Sequence, residues 1–356
     1  MSPDSDSNSQ VIASTKVYIL GAGWPVCGQY PLASQAANGL DTFSKASLKH
    51  DKAVKLRGCA ERTCELLSKH GRDTIDALAK VLGDANRVAI KEAKIAMSVF
   101  FFGLEDDAVK LANPSYAAFF DELFRYGENP SPSLLERVEK TPCRVLTFNY
   151  DRLFERTFIE WAKREEPGNE EIAQILNEFL NMGMGNGHDV EIKPNRFSLL
   201  KLHGGIGQFN RDGPRDLGNT SHLYWPEFGQ PIPPFDDEQY YQRQGYKTNE
   251  PTIIFPHEKQ DGDKSSFQGY DSKVWKQARD FCKLATEIQI LGYSIQSIDY
   301  FWFKSLLREV KADARIVLRN RLTEKDKLLG KLEGIKDELK TKWTIDYMAE
   351  DFFGTR

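Results

Sequence analysis

Asn149 and Asp151 stand two residues apart directly after an apolar run, and their side chains have the clearest potential for chemistry in the chain. Val145 and Leu146, which follow Pro142, predict a short buried strand that ends at these polar residues. In an extended chain, residues two apart project to the same side. Because open α/β sheets bind ligands at the carboxyl ends of their strands, the pair predicts a crevice with an amide beside a negative charge.

Other predicted strands also end in a glycine-rich turn or a polar residue. The predicted strand at 16–20 is followed by Gly21, Ala22 and Gly23, and the strand at 197–202 is followed by His203. The strand at 287–291 is followed by Gly292 and Ser294, and the strand at 314–318 is followed by Asn320. In a parallel sheet these ends share one edge, so residues far apart in sequence can converge there.

Each of these features has a chemical and a purely structural interpretation. The Gly21-Ala22-Gly23 segment is half of a dinucleotide-binding fingerprint, in which small residues let the backbone approach a pyrophosphate, but a tight turn without a ligand would look the same. His203 precedes two glycines, which leave it uncrowded, as a histidine acting on a substrate hydroxyl requires. A lone histidine is nevertheless most often structural.

The remaining polar residues are equally open to two interpretations. Asp151 could be the amino-terminal cap of the helix that begins near Leu153. Ser294 is placed to form a hydrogen bond with a phosphate, although the turn around it could simply join a strand to a helix. Asn320 could merely end a strand. Asn149 is harder to explain structurally, because a cap needs only one residue.

Composition narrows the class of protein. The 356 residues carry a formal net charge of -4 with 40% hydrophobic residues, which indicates a globular chain with no basic excess for nucleic acid. No apolar run reaches membrane-spanning length. The five cysteines are scattered and form no Cys-x-x-Cys pair, which favours a reducing cytoplasm and argues against a four-cysteine zinc module.

The order of elements predicts an α/β fold with a Rossmann-like parallel sheet, a helical insertion subdomain and no zinc ribbon. We expect a disordered tail at 1–14, a catalytic domain at 15–322 and a C-terminal helical extension at 323–356. Within the domain, the helical insertion covers about 33–140. An irregular segment rich in Pro, Gly, Asp and Gln covers about 209–273 and resembles a small irregular subdomain or a lid.

The order of the strand ends resembles that of the sirtuin (SIR2) family. Sirtuins show a GAG loop, a T-Q-N-I-D segment, an L-H-G segment with the catalytic histidine, a G-T/Y-S turn and a strand-terminal asparagine. The matching residues here are Gly21-Ala22-Gly23, Thr147-Phe148-Asn149-Tyr150-Asp151, Leu202-His203-Gly204, Gly292-Tyr293-Ser294 and Asn320. The tyrosine-bearing forms look most like bacterial SIR2-like proteins of antiphage defence, and the resemblance covers about 15–322.

The resemblance implies a set of roles in hydrolysis of NAD to nicotinamide and ADP-ribose. Asn149 would hold the ribose and the attacking water, His203 would act as general base, and Asp151 would orient the nicotinamide pocket. Thr147 and Gly292 would belong to the NAD-binding site with the GAG loop and Ser294, which would hold the diphosphate, and Asn320 would hold the adenosine ribose. NAD would be a substrate, and no zinc would be needed.

Departures from the sirtuin pattern favour a hydrolase. The two Cys-x-x-Cys pairs that hold zinc in deacylating sirtuins are missing, and no acyl-lysine channel segment is recognisable. The alternatives are an NAD-dependent deacylase or ADP-ribosyltransferase, or a non-catalytic sensor of NAD or ADP-ribose. Uncontrolled NAD loss would kill the host, so the resemblance also implies activation by homo-oligomerisation or by a partner, such as an ATPase or an Argonaute-like protein.

Overall fold

A parallel sheet with helices on both faces forms the framework of the computed structural model. The structure describes residues 15–21, 24, 33–45, 51–83, 86–124, 132–165, 171–172, 174–175, 197–206, 208–210, 221–223, 253, 255, 268–295 and 299–349. The expected tail at 1–14 and most of the irregular segment at 209–273 lie outside these residues.

The strands, in chain order, are β1 (Lys16–Leu20), β2 (Cys143–Thr147), β3 (Ser198–Lys201), β4 (Gln208–Asn210), β5 (Ser221–Leu223), β6 (Glu287–Leu291), β7 (Arg315–Asn320) and β8 (Thr344–Ala349). Strands β4 and β5 form a separate antiparallel pair. The others form a six-stranded sheet in the order β3-β2-β1-β6-β7-β8, with every neighbouring pair parallel. Numbered by its own members the order is 3-2-1-4-5-6, that of the Rossmann fold, which confirms the predicted fold class.

The central strand β1 explains how this sheet is held between two apolar layers. Its side chains alternate, so that Tyr18 and Leu20 enter one core while Val17 and Ile19 enter the other. Both sides are buried, which accounts for the nearly continuous apolar sequence of the strand.

The described helices are α1 (Ala33–Lys45), α2 (Asp51–Lys69), α3 (Ile75–Leu82), α4 (Arg87–Phe124), α5 (Leu134–Lys140), α6 (Leu153–Ala162), α7 (Gln268–Leu284), α8 (Tyr300–Leu307) and α9 (Lys325–Leu339). Helices α1 to α5 occupy the span between β1 and β2 where the helical insertion was expected. Residues of α1 to α6 contribute to the core on the Tyr18 side of the sheet, and residues of α7 to α9 contribute to the core on the Val17 side.

Aromatic side chains attach the helical insertion to the sheet. Phe119 of α4 makes edge-on contacts with Tyr18 and with Trp24, both with ring centroids 5.3 Å apart. Trp24, which follows β1, also makes an edge-on contact with Tyr116 of α4, so this residue packs against the helix. Aromatic pairs of this geometry contribute about 1 kcal/mol each beyond the area they bury.

The expected purely helical C-terminal extension is wrong in one respect. Helix α9 is present, but Thr344–Ala349 forms β8 and pairs in parallel register with β7. The sheet therefore continues past residue 322. Strand β8 is an edge strand whose residues are exposed or half-buried, so its sequence lacks the apolar run that marks the buried strands. No described helix is long and apolar enough to cross a membrane.

A buried ion pair connects the end of β2 with the helical insertion. The Arg152 guanidinium donates from Nε to Glu105 Oε1 at 2.8 Å and from Nη2 to Glu105 Oε2 at 2.6 Å. Both side chains are nearly inaccessible to solvent, and Arg156 lies 3.8 Å from the same carboxylate. This bidentate pair joins α4 to the start of α6.

We expect Arg152→Met to lower the free energy of unfolding by about 3 kcal/mol, because it leaves the Glu105 carboxylate buried with only the more distant Arg156. Urea denaturation measures this. Lys110→Met, which removes an exposed pair with Asp107, is the matched control and should cause no measurable change. Equal stability of the Arg152 variant and the wild type would contradict the assigned role.

Candidate functional site

The candidate site lies where the sheet reverses its direction of strand order, at the carboxyl ends of β1 and β6. Neighbouring crossovers leave β1 toward β2 on one side and enter β6 on the other, and such a switch point opens a crevice in parallel sheets. The ladder continues past the strand ends, with Gly21 N donating to Leu291 O at 3.0 Å and Gly292 N donating to Arg319 O at 3.0 Å. The two glycine turns are therefore adjacent in space.

Gly21 is required by close packing between these turns. A Cβ atom at this position would lie 2.4 Å from the Cα atom of Tyr293, a distance that no real Cβ contact shows. The Tyr293 ring in turn stacks on Phe148 with a centroid distance of 4.9 Å. The loops after β1, β2 and β6 are thus packed directly against one another.

The Thr147 hydroxyl fixes the backbone that carries Asn149. It donates to Leu20 O at 3.3 Å and accepts from Asn149 N at 3.0 Å. These contacts join the end of β2 to the end of β1. They indicate that Thr147 positions Asn149 from within the protein.

Within the described part of the chain, the Asn149 side-chain amide forms a hydrogen bond through its nitrogen but none through its oxygen. Its Nδ2 donates to Gly21 O at 3.1 Å. Its Oδ1 is buried and has no hydrogen-bond partner among the residues that the structure describes. A buried polar atom without a partner costs free energy, so this acceptor is available for a ligand hydroxyl or a water molecule.

The His203 ring packs against the two residues that flank Asn149. Its ring centroid is 5.1 Å from that of Phe148 and 5.6 Å from that of Tyr150, the two residues that flank Asn149. Leu202 N donates to Thr147 O at 2.8 Å and Ile206 N donates to Tyr150 O at 2.8 Å, which fixes the two loops in register. Gly204 follows at φ +63, a conformation that favours glycine.

The Asp151 carboxylate forms a hydrogen bond with the backbone at the start of α6. Its Oδ1 accepts from Leu153 N at 2.8 Å, which forms an Asx turn just before α6. The N-cap position itself is occupied by Arg152, so Asp151 is not the cap that the sequence offered as an alternative. Burial raises the pKa of its carboxyl from an ordinary value of 3.8 to about 6, although Lys201 and the Leu153 N–H act in the opposite direction. At neutral pH the group is therefore mostly ionised.

A buried lysine holds the loops after β2 and β3 together. Lys201 Nζ lies 2.9 Å from Glu155 Oε1, with both side chains almost fully buried, and it also donates to the Asp151 carbonyl. It further crowds Gly205, where a Cβ atom would lie 2.8 Å from Lys201 Cε. Lys201 thus constrains both the Asp151 and His203 loops.

A lysine of α9 forms hydrogen bonds with the turn that follows β6. Lys331 Nζ donates to the carbonyls of Ser294 at 3.0 Å and Ile295 at 2.6 Å. Ile295 has φ 48, which is rare for a β-branched residue and indicates stored strain. Asn320 closes the same region, with Nδ2 donating to Tyr293 O at 3.4 Å and Oδ1 accepting from Arg321 N at 2.8 Å.

The structure brings most of the predicted residues to one edge of the sheet, while Ala22 and Gly23 lie outside the described residues. Sequence reasoning missed Lys201, Lys331 and Asp299, whose carboxylate is 3.4 Å from His203 Nε2. Lys201 had a signal, since a charge interrupts an apolar strand. Asp299 and Lys331 had none, because their contacts lie far away in the sequence. Among the described residues, no group of three or more His, Cys, Asp or Glu side chains could hold a metal ion.

Comparisons with known proteins give few matches. No protein-family model matches the chain, and no curated protein matches its sequence. A solved structure described as "Structural Basis for the Mechanism and Regulation of Sir2 Enzymes" is similar over 92% of this chain and 93% of its own, with 12% sequence identity and a TM-score of 0.34. The fold assignment rests on the strand order and register of this chain itself.

We expect Gly21→Ala to lower the free energy of unfolding by about 1 to 3 kcal/mol, because the added Cβ must displace the Tyr293 backbone. Gly330→Ala is the matched control. It lies in α9 with nothing within 4 Å of the new Cβ, and should leave stability unchanged or raise it slightly. Thermal unfolding of the two variants compares them directly, and equal melting temperatures would contradict the packing described.

The raised pKa of Asp151 predicts a pH-dependent effect of Asp151→Asn. Between about pH 4 and pH 6 the folded state holds a proton on Asp151 that the unfolded state has lost, so this group lowers the stability of the wild type as pH rises through that window. Asp151→Asn has no carboxyl to titrate, so it does not lose stability in this way. Its stability relative to the wild type should therefore rise by up to about 3 kcal/mol from pH 4 to pH 7. Urea denaturation at both pH values tests this, and a pH-independent difference would refute it.

Proposed function

We propose that the chain hydrolyses NAD to nicotinamide and ADP-ribose. The observation that carries this proposal is the Asn149 side chain, which is anchored through Nδ2 to Gly21 O and keeps a buried Oδ1 without a described partner. The His203 ring packs against Phe148 and Tyr150, the residues on either side of Asn149. That acceptor fits a ribose hydroxyl or an attacking water. The matching order of motifs in the sequence supports NAD as the substrate.

The proposed reaction breaks the bond between C1′ of the ribose and the nicotinamide nitrogen, which keeps the electron pair. Water oxygen forms the new bond to C1′ and releases a proton to His203, which passes it to solvent. Nicotinamide is already a good leaving group, so the protein mainly has to stabilise an oxocarbenium-like ribose and to position water.

Asp151 would contribute charge to this site. Its carboxyl, with a pKa of about 6, is mostly ionised at neutral pH, and a negative charge favours the positive charge that develops on the ribose. Its hydrogen bond with Leu153 N fixes the carboxylate at the loop that carries Asn149. One side chain would thus serve both the start of α6 and the chemistry.

The remainder of NAD would extend along the sheet edge. Gly21, Ala22 and Gly23 would approach the diphosphate with Ser294, and Asn320 would hold the adenosine ribose. The strained and lysine-braced turn at Ser294 and Ile295 supports a preorganised binding loop there. The absence of Cys-x-x-Cys pairs from the sequence favours hydrolysis over zinc-supported deacylation.

We expect His203→Ala and Asn149→Ala each to lower the rate of NAD loss by at least about 100-fold, because they remove the general base and the ribose anchor. Chromatographic quantification of nicotinamide measures this, with circular dichroism to verify folding. His70→Ala, on the turn after α2, is the control and should retain the wild-type rate. Wild-type turnover by His203→Ala would refute the catalytic assignment.

The same assay separates the alternatives. Nicotinamide that forms only when an acylated or nucleophilic peptide is present would indicate a deacylase or transferase. NAD binding without turnover, also with candidate partners present, would indicate a sensor.

We further propose that turnover is restrained until a partner protein or self-assembly activates the chain in antiphage defence, since unrestrained NAD loss would kill its host. Activity that rises with protein concentration, together with a larger species in size-exclusion chromatography, would support self-assembly. Full activity of the isolated monomer would remove the need for activation.

A further inference from the structure

Asp299 occupies the N-cap position of helix α8, but its side chain does not cap the helix. It is the residue directly before α8, where aspartate usually accepts a hydrogen bond from the first turn, yet its side chain makes no capping bond. Its carboxylate Oδ1 instead lies 3.4 Å from His203 Nε2, and both side chains are buried, with exposures of 12% and 3%. Burying a carboxylate is costly, so a cationic or hydrogen-bonding partner explains its position.

The groups around this pair come from the segments after β2 and β6. Tyr150, after β2, faces the His203 ring from 5.6 Å. Tyr293, after β6, is buried, and burial together with the nearby Asp299 charge holds the pKa of its hydroxyl well above the usual range. Tyr293 therefore stays a neutral hydroxyl. Among the groups described here, Asp299 provides the negative charge that faces His203.

We propose that Asp299 is a positioning residue that fixes the orientation and the tautomer of the His203 imidazole. The proposal rests on the proposed hydrolysis of NAD, in which His203 takes a proton. The two atoms are 3.4 Å apart without hydrogen-bond alignment, so the link between them is electrostatic. The negative charge of Asp299 favours a proton on Nε2, which leaves the other ring nitrogen, Nδ1, as the basic one.

The consequence for the reaction follows from charge. When Nδ1 accepts a proton from water, the imidazole becomes a cation, and the adjacent carboxylate stabilises it while remaining ionised. The Nδ1 proton then leaves to solvent, and the proton on Nε2 stays in place. Asp299 needs no contact with NAD in this arrangement.

Kinetics of Asp299→Asn test the proposal, because asparagine keeps the shape and removes the charge. We expect kcat for NAD hydrolysis to fall about 10- to 100-fold with KM within about two-fold, and the acidic limb of the pH–rate profile to move to lower pH by about one unit. Asp313→Asn, in an exposed turn before β7, is the matched control and should change neither quantity. Wild-type kcat and an unmoved profile for Asp299→Asn would overturn the proposal. A merely structural role would lower stability without moving the profile.

Nuclear magnetic resonance of the protein labelled with ¹⁵N-histidine tests the pair without relying on activity. His203→Ala identifies the signals of His203. In the wild type we expect the neutral ring to carry its proton on Nε2, and its titration midpoint to lie about one pH unit above that in Asp299→Asn. A proton on Nδ1 in the neutral wild-type ring would overturn the proposal even if the variant did not fold. If the wild type turned over no NAD even at high protein concentration and with candidate partners present, the proposed function would fail, while this titration would still decide whether Asp299 controls His203.

Discussion

The hydrogen bond from Asn149 Nδ2 to Gly21 O, 3.1 Å long, is the contact on which the geometry of the candidate site depends. It joins the residues that follow two neighbouring strands, and it fixes which end of the amide is left as an acceptor. The position of this hydrogen bond depends on two residues. Gly21 has no room for a side chain against Tyr293, and the Thr147 hydroxyl accepts a hydrogen bond from the Asn149 backbone. The loops meet because β2, β1 and β6 are neighbours in the sheet.

Buried charged side chains near the site form ion pairs. Arg152 with Glu105 and Lys201 with Glu155 connect the start of α6 to α4 and to β3. Such pairs contribute little net stability but fix geometry strongly, because breaking one leaves a charge in an apolar interior. They place the Asn149 and His203 loops on a rigid frame, as preorganised catalysis requires.

The sequence predicts much of this arrangement because the buried strands are short apolar runs that end at glycines or polar residues. This pattern located β1, β2, β3, β6 and β7 and placed Asn149, His203 and Asn320 at the carboxyl ends of their strands, although β7 extends as far as Asn320 itself. It missed β8, since an edge strand has no apolar run, and it missed Asp299. Pairing between residues as distant as His203 and Asp299 depends on the folded topology, which local patterns do not encode.

The most direct test of the account is the product balance when NAD is incubated with the wild-type chain in the absence of any acyl or protein acceptor. Under conditions that activate the chain, the account predicts equal amounts of nicotinamide and ADP-ribose, formed by the wild type and lost in Asn149→Ala. Nicotinamide formed only with an acceptor present, or unchanged turnover by Asn149→Ala, would contradict it.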